Sequence, residues 1–191
     1  MQKYFMLAGL VLLGACHKTS EKSPVTPVID YIEFNKEIAF TQYFSFDLDS
    51  NGSKDFLFYT LLVGDPILGR DYHQYHIVSS IGASFPIDTL NEQTPALAGN
   101  MAISPHSPAG LSWYVATDSW IARKVIGTTG APYWEGNWKD ASHRYLAIRV
   151  DRAGHGYYGW LEVSFDATAE KIILHRAALC REAGKEVKAG V

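Results

Sequence analysis

Two residue types are notable for how little the chain uses them or how evenly it balances them. There are only two cysteines, Cys16 and Cys180, among 191 residues. At most one bridge can form, so a disulfide framework does not hold this fold together. Basic residues do not exceed acidic ones: 17 Lys and Arg stand against 20 Asp and Glu, for a net charge of −3. No positive surplus is available to neutralise phosphates, so nucleic acid is not an expected partner. Other absences concern pattern. The longest apolar run, Phe5 to Leu13, falls well short of the ~20 residues that span a bilayer. Sustained helical periodicity is missing, as is any internal repeat, which argues against helix bundles and solenoids.

The N-terminus carries an address. Lys3 precedes the apolar run, and the small residues Gly14 and Ala15 close it. This reads as a secretory signal peptide over residues 1–15. Leu13-Gly14-Ala15-Cys16 resembles the bacterial lipobox, in which cleavage falls before the cysteine and acyl chains are added to it. The resemblance implies lipidation at Cys16 (palmitate and related chains) and a cell-envelope protein attached to a membrane without crossing it. Two or more acyl chains make such attachment stable, each buried methylene adding about 0.8 kcal/mol. His17, rather than Asp, after the cysteine implies the outer membrane by the sorting rule of Gram-negative lipoproteins. Residues 16–28 are polar with two prolines and predict a flexible tether. With Cys16 acylated, Cys180 has no partner and is expected to be a small buried residue.

Residues 29–191 predict one domain of all-β class, an antiparallel β-sandwich of jelly-roll-like type. Aromatic and β-branched residues are frequent, and turn residues recur at short intervals. Strands are expected at 31–34, 38–48, 55–63, 73–80, 113–116, 144–150, 157–165 and 171–178. Alternation is clearest in 157–166. Tyr157, Leu161, Val163 and Phe165 fall on one face with Gly159, and Tyr158, Trp160, Glu162, Ser164 and Asp166 on the other. The loop DRAGHG (151–156) predicts a hairpin. The Gly-, Pro- and Ser-rich stretch 82–111 reads as long connections, with one helical turn near Pro95 to Ala98.

The pieces RYLAIRV, GYYGWLEVSF, KIILHRAAL and GKEVKAG resemble a group of small bacterial secreted proteins and lipoproteins. Members carry a YGW-type strand and many carry an early D-x-D-x-D-G loop. Ala147 stands where the group has Gly. The resemblance implies export and a β-sandwich and specifies no reaction.

Catalytic residues are not identified. Glu162 and Asp166 lie four apart on a strand, about 13 Å, wider than the carboxyl pairs of glycosidases. His73 and His76 would face opposite ways on a strand, which weakens a zinc reading. The tryptophans could stack sugars or fill the core; Trp134 and Trp138, in a Gly- and Pro-containing stretch, are the candidates for ligand stacking.

The strongest chemical signal is DLDSNGSKD. Asp47, Asp49, Asn51, Ser53 and Asp55 occupy positions one, three, five, seven and nine, with Gly52 at six. This resembles the first nine positions of an EF-hand calcium loop, and the loops of dockerin-like, thrombospondin type 3 and integrin propeller repeats. Phe58 replaces the EF-hand's final Glu, which suits a strand-loop-strand site. Asn51-Gly52 is also a hairpin-turn signal by itself. With three carboxylates, calcium affinity should be weak, on the order of 10⁻⁴ to 10⁻³ M. The expected function is a non-catalytic, lipid-anchored envelope module, structural or ligand-binding, with calcium stiffening a hairpin. The alternative is a surface protein that binds or processes glycans.

Overall fold

The computed structural model describes residues 26–106 and 110–191. The expected signal peptide (1–15), Cys16 and nearly all of the expected tether (16–28) lie outside the described residues. The fold is an all-β antiparallel sandwich, and no helix forms among the described residues. One sheet has six strands: β1 (Ile29–Ala39), β12 (Lys171–Cys180), β11 (His155–Asp166), β10 (Arg144–Arg152), β5 (Ala83–Asp88) and β7 (Leu111–Val115), in that spatial order. The other has five: β2 (Phe44–Phe46), β3 (Phe56–Asp65), β4 (Arg70–Ser79), β8 (Asp118–Gly127) and β9 (Tyr133–Glu135). A small ladder of β6 (Ala102–Ile103) and β13 (Val187–Lys188) completes the set.

The inner faces of the two sheets meet in one apolar core. Phe46, Phe56, Phe58, Tyr75 and Ile77 from the smaller sheet pack with Leu146, Ile148, Leu161, Val163, Ile172 and Leu174 from the larger. Period-two alternation puts these side chains on one face of each strand. The larger sheet buries part of its outer face as well. Tyr158, Trp160, Ala147, Ala178 and Cys180 lie under Leu97, Ile103, Val187 and Ala189. Cys180 is therefore a free, buried thiol. Its burial pushes the thiol pKa up, which keeps it protonated and unreactive.

Several details differ from the sequence reading. The 38–48 run is two strands, because Thr41 takes φ 73° in the turn between them. The stretch 82–111 contains β5, and Leu97 bridges Tyr145 in extended form instead of entering a helical turn. A long strand, β8, occupies 118–127, where none was assigned. The hairpin at 151–156 turns on Ala153 and Gly154, with φ 49° and 79°. That pair of positive φ values matches a two-residue type I′ turn.

β1 starts at Ile29, opposite Cys180. The β10–β11 turn and the 47–55 loop lie at this same end. Asp30 pairs with Arg181 there, and Arg152 of the turn reaches Asp49 of the loop.

Candidate metal centre

The loop 47–55 joins β2 to β3, and buried aromatics fix both ends. Phe46 is 4% exposed and Phe56 1%. The Asp55 N–H donates to the Phe46 carbonyl at 2.9 Å, which closes the loop. Between them Leu48 turns into the core, and its N–H donates to Asp55 Oδ2 at 2.7 Å. Burying Leu48 anchors the acidic residues on either side of it. Ser50 (φ 58°) and Gly52 (φ 90°) reverse the chain in the left-handed region, where glycine is unstrained.

Asp47 is held by backbone. The Gly52 N–H donates to its Oδ2 at 2.7 Å and the Asn51 N–H to its Oδ1 at 3.2 Å. The Asn51 N–H also reaches Asp49 Oδ1 at 3.1 Å. Burial pushes the Asp47 carboxyl up, but the N–H groups of Gly52, Asn51 and Ser50 outweigh it and hold it below the usual range. Asp55 behaves oppositely. Its burial, joined by the Asp49 and Asp47 carboxylates, raises its pKa against the Leu48 hydrogen bond. One group of the set is thus costly to ionise in its present surroundings.

Asp47, Asp49 and Asp55 each place an oxygen within 4.8 Å of the others. Oxygens bound to one calcium ion at 2.3–2.6 Å stand at most about 5 Å apart. Three of the five expected ligands are therefore brought into range of a single cation. Asn51 Oδ1 accepts the Ser53 N–H at 2.7 Å, so both residues belong to the same knot. Each carboxylate oxygen offers two lone pairs, so one backbone hydrogen bond leaves capacity for a metal.

Arg152 is the neighbour that the local pattern does not contain. Its Nε donates to Asp49 Oδ2 at 2.8 Å, while its guanidinium lies 4.8 Å from the Tyr157 ring centroid. It sits 103 positions from Asp49, so no local motif could have indicated it. The Asp49 side chain is 1% exposed, and this guanidinium offsets its charge.

The tryptophan platform does not form. Trp138 is 0% exposed, and its indole N–H donates to the Thr94 carbonyl at 3.0 Å. Trp134 is half-buried, with its ring edge-on to Phe165 at 4.9 Å. His73 and His76 also separate. His73 stacks on Phe40 at 4.1 Å, while His76 bonds Asp118 at 2.8 Å.

A second polar cluster lies on the outer face of the larger sheet. Glu162 accepts from His143 Nδ1 and Arg176 Nε, both at 2.6 Å. Ser164 Oγ and His175 Nε2 are 2.8 Å apart, and the two histidine rings stack at 4.2 Å. A bulge allows it: Glu162 pairs Arg176 and Val163 pairs Leu174, so His175 is an extra residue. An open hollow of about 540 Å³ adjoins the pair. The cluster is self-satisfied, each charged group facing an opposite or neutral one.

No protein-family model, curated protein or solved structure matches the chain.

Proposed function

We propose that this protein is a non-catalytic module of the bacterial cell envelope, anchored through acyl chains on Cys16, whose 47–55 loop binds calcium. The observation that carries the metal reading is the convergence of Asp47, Asp49 and Asp55 within 4.8 Å. Burial chiefly raises the Asp55 pKa, and repulsion from the Asp49 and Asp47 carboxylates adds to it, a repulsion that a cation shared by the three would relieve. Hard oxygen donors of this kind suit calcium better than zinc or copper. The ion would tie the loop between β2 and β3 without taking part in a reaction. The glycan alternative loses one of its two stacking candidates, because Trp138 is fully buried and offers no face to a ligand.

Calcium titration with thermal unfolding tests the proposal. Weak binding at about 10⁻³ M should stabilise the fold by roughly 1.4 kcal/mol at ten times that concentration, a rise of about 3–6 °C. Asp49→Ala should abolish the rise. A melting temperature unmoved by calcium, or a rise that survives in Asp49→Ala, removes the metal from the proposal.

A further inference from the structure

Strand β3 is bonded to β4 along its whole length, from Phe56 opposite Ser79 to Asp65 opposite Arg70. On its other side only Phe56 to Phe58 pair, with β2. The remainder, Tyr59 to Asp65, has no strand beside it among the described residues. Side-chain cover from the preceding turn ends at Thr60, whose Oγ1 accepts the Thr41 N–H. Beyond that point no strand among the described residues pairs with the edge, and it is apolar. Leu61 is 43% exposed and Leu62 60%, and Ile67 and Leu68 at the hairpin tip are exposed as well.

Folded proteins blunt such edges with charge, proline, bulges or shortness. The other edges here show these devices. β1 is interrupted by a register shift between Glu33 and Lys36 and carries charged residues around it. β2 and β9 have three residues each. β7 is uncharged but spans only five. The segment TLLVG (60–64) has no charge and no proline, and its pairing with β4 shows no bulge.

We infer that this edge pairs with the same edge of a second copy, in antiparallel register about a two-fold axis at Leu62. The sequence is self-complementary in that register. Leu62 meets Leu62, Leu61 of each copy meets Val63 of the other, and Thr60 meets Gly64. Leu61 and Val63 share the outer face, and Leu62 follows Phe56 and Phe58 on the inner face. Every central pair that carries a side chain on both strands is apolar, the kind that stabilises a sheet. The nearest charged residue, Asp65, falls opposite Tyr59, so no like charges are opposed. Two five-stranded sheets become one continuous sheet across an isologous interface.

Cysteine cross-linking of the full chain in its membrane tests this. In Leu62→Cys the two thiols flank the axis, with Cβ atoms about 4.5–5.5 Å apart, near enough for a disulfide after small adjustment. A mild oxidant should give a covalent dimer on a non-reducing gel. The unaltered chain and Ile81→Cys, exposed but at the opposite end of β4, should stay monomeric. Adding Leu61→Lys to Leu62→Cys should lower the dimer yield on the order of tenfold. Dimer from Leu62→Cys no greater than from Ile81→Cys overturns the inference, and so does a yield indifferent to Leu61→Lys.

Discussion

His175 has little in its local sequence to distinguish it, yet its surroundings make its contribution to stability sensitive to acid. Burial lowers its pKa, and the stacked His143 lowers it further. Glu162, Arg176 and Ser164 are the other groups that face this pair. A histidine with a depressed native pKa binds its proton first in the unfolded chain. Stability must therefore fall as pH drops below about 6.5, the unfolded value. Glu162 adds a second, lower step. Burial pushes its carboxyl up, but the bonds from Arg176 and His143 prevail and hold it low, so its contribution is lost as pH falls below about 4.3. Melting temperature should decline between pH 7.5 and 5, and His175→Gln should flatten that decline. A profile identical in the two proteins would show that His175 does not control it. The acidic cluster Asp47, Asp49 and Asp55 was far more legible. Five oxygen-bearing residues within nine positions announce themselves, whereas Arg152 and the histidine pair are assembled from distant strands. Trp138 was misjudged for a related reason: its Gly and Asn neighbours mark a loop, and this loop turns inward, so that Thr94 can satisfy the indole N–H.

Among elements, regular alternation made β11 readable, β12 was readable despite its bulge at His175, and β8 and β5 were not. β11 shows its two faces without interruption, and Leu161, Val163 and Phe165 indeed face the main core while Tyr158 and Trp160 face the second cluster. β8 hides its period. Tyr75 pairs Ala122 and His76 pairs Trp120, leaving Ile121 as a bulge, so Ile121 and Ala122 are buried in succession. β5 contains Pro86, ordinarily a mark against a strand. The proline is tolerated because β10 pairs only with Ala83 and Ser84, leaving no ladder on that side at Pro86. The YGW element has a steric reason for its glycine. A Cβ on Gly159 would lie 2.0 Å from the Ala178 carbonyl oxygen, where β11 is paired with β12 at Leu179 on one side and with β10 at Ile148 on the other. Backbone cannot yield there as a side chain could. Gly159→Ala should cost about 3 kcal/mol, the upper end of overpacking penalties, and lower the melting temperature by roughly 10 °C. A loss under about 2 °C would mean that the strands can part to admit the methyl group.

At the scale of the molecule, the chain passes between the two sheets at β1–β2, β4–β5, β7–β8 and β9–β10. Hairpins supply three of the four neighbour pairs in the smaller sheet but only β10–β11 and β11–β12 among the five in the larger. The proposed anchor belongs to this scale, because it fixes where the sandwich is held. Cys16→Ser should end labelling by a fatty-acid analogue and release the protein from the membrane fraction. Continued labelling of that variant would place the acyl chain elsewhere or nowhere.

The sandwich begins at Ile29, at the end where Arg152 meets Asp49. A chain anchored at Cys16 would turn this end toward the membrane, and the residues between Cys16 and Ile29 let the acidic loop range from the lipid headgroups to about 40 Å away. Water next to an anionic surface differs from bulk water. A potential of about −30 mV enriches divalent cations roughly tenfold there. While the loop lies within about 10 Å of the surface, the distance over which the potential decays, it would fill at down to about a tenth of the bulk calcium needed by the detached domain. Half-saturation measured on anionic vesicles and on the released protein should differ by up to that factor, more as the tether is shortened, so the lipid composition of the envelope would tune the working affinity of a site that never touches lipid.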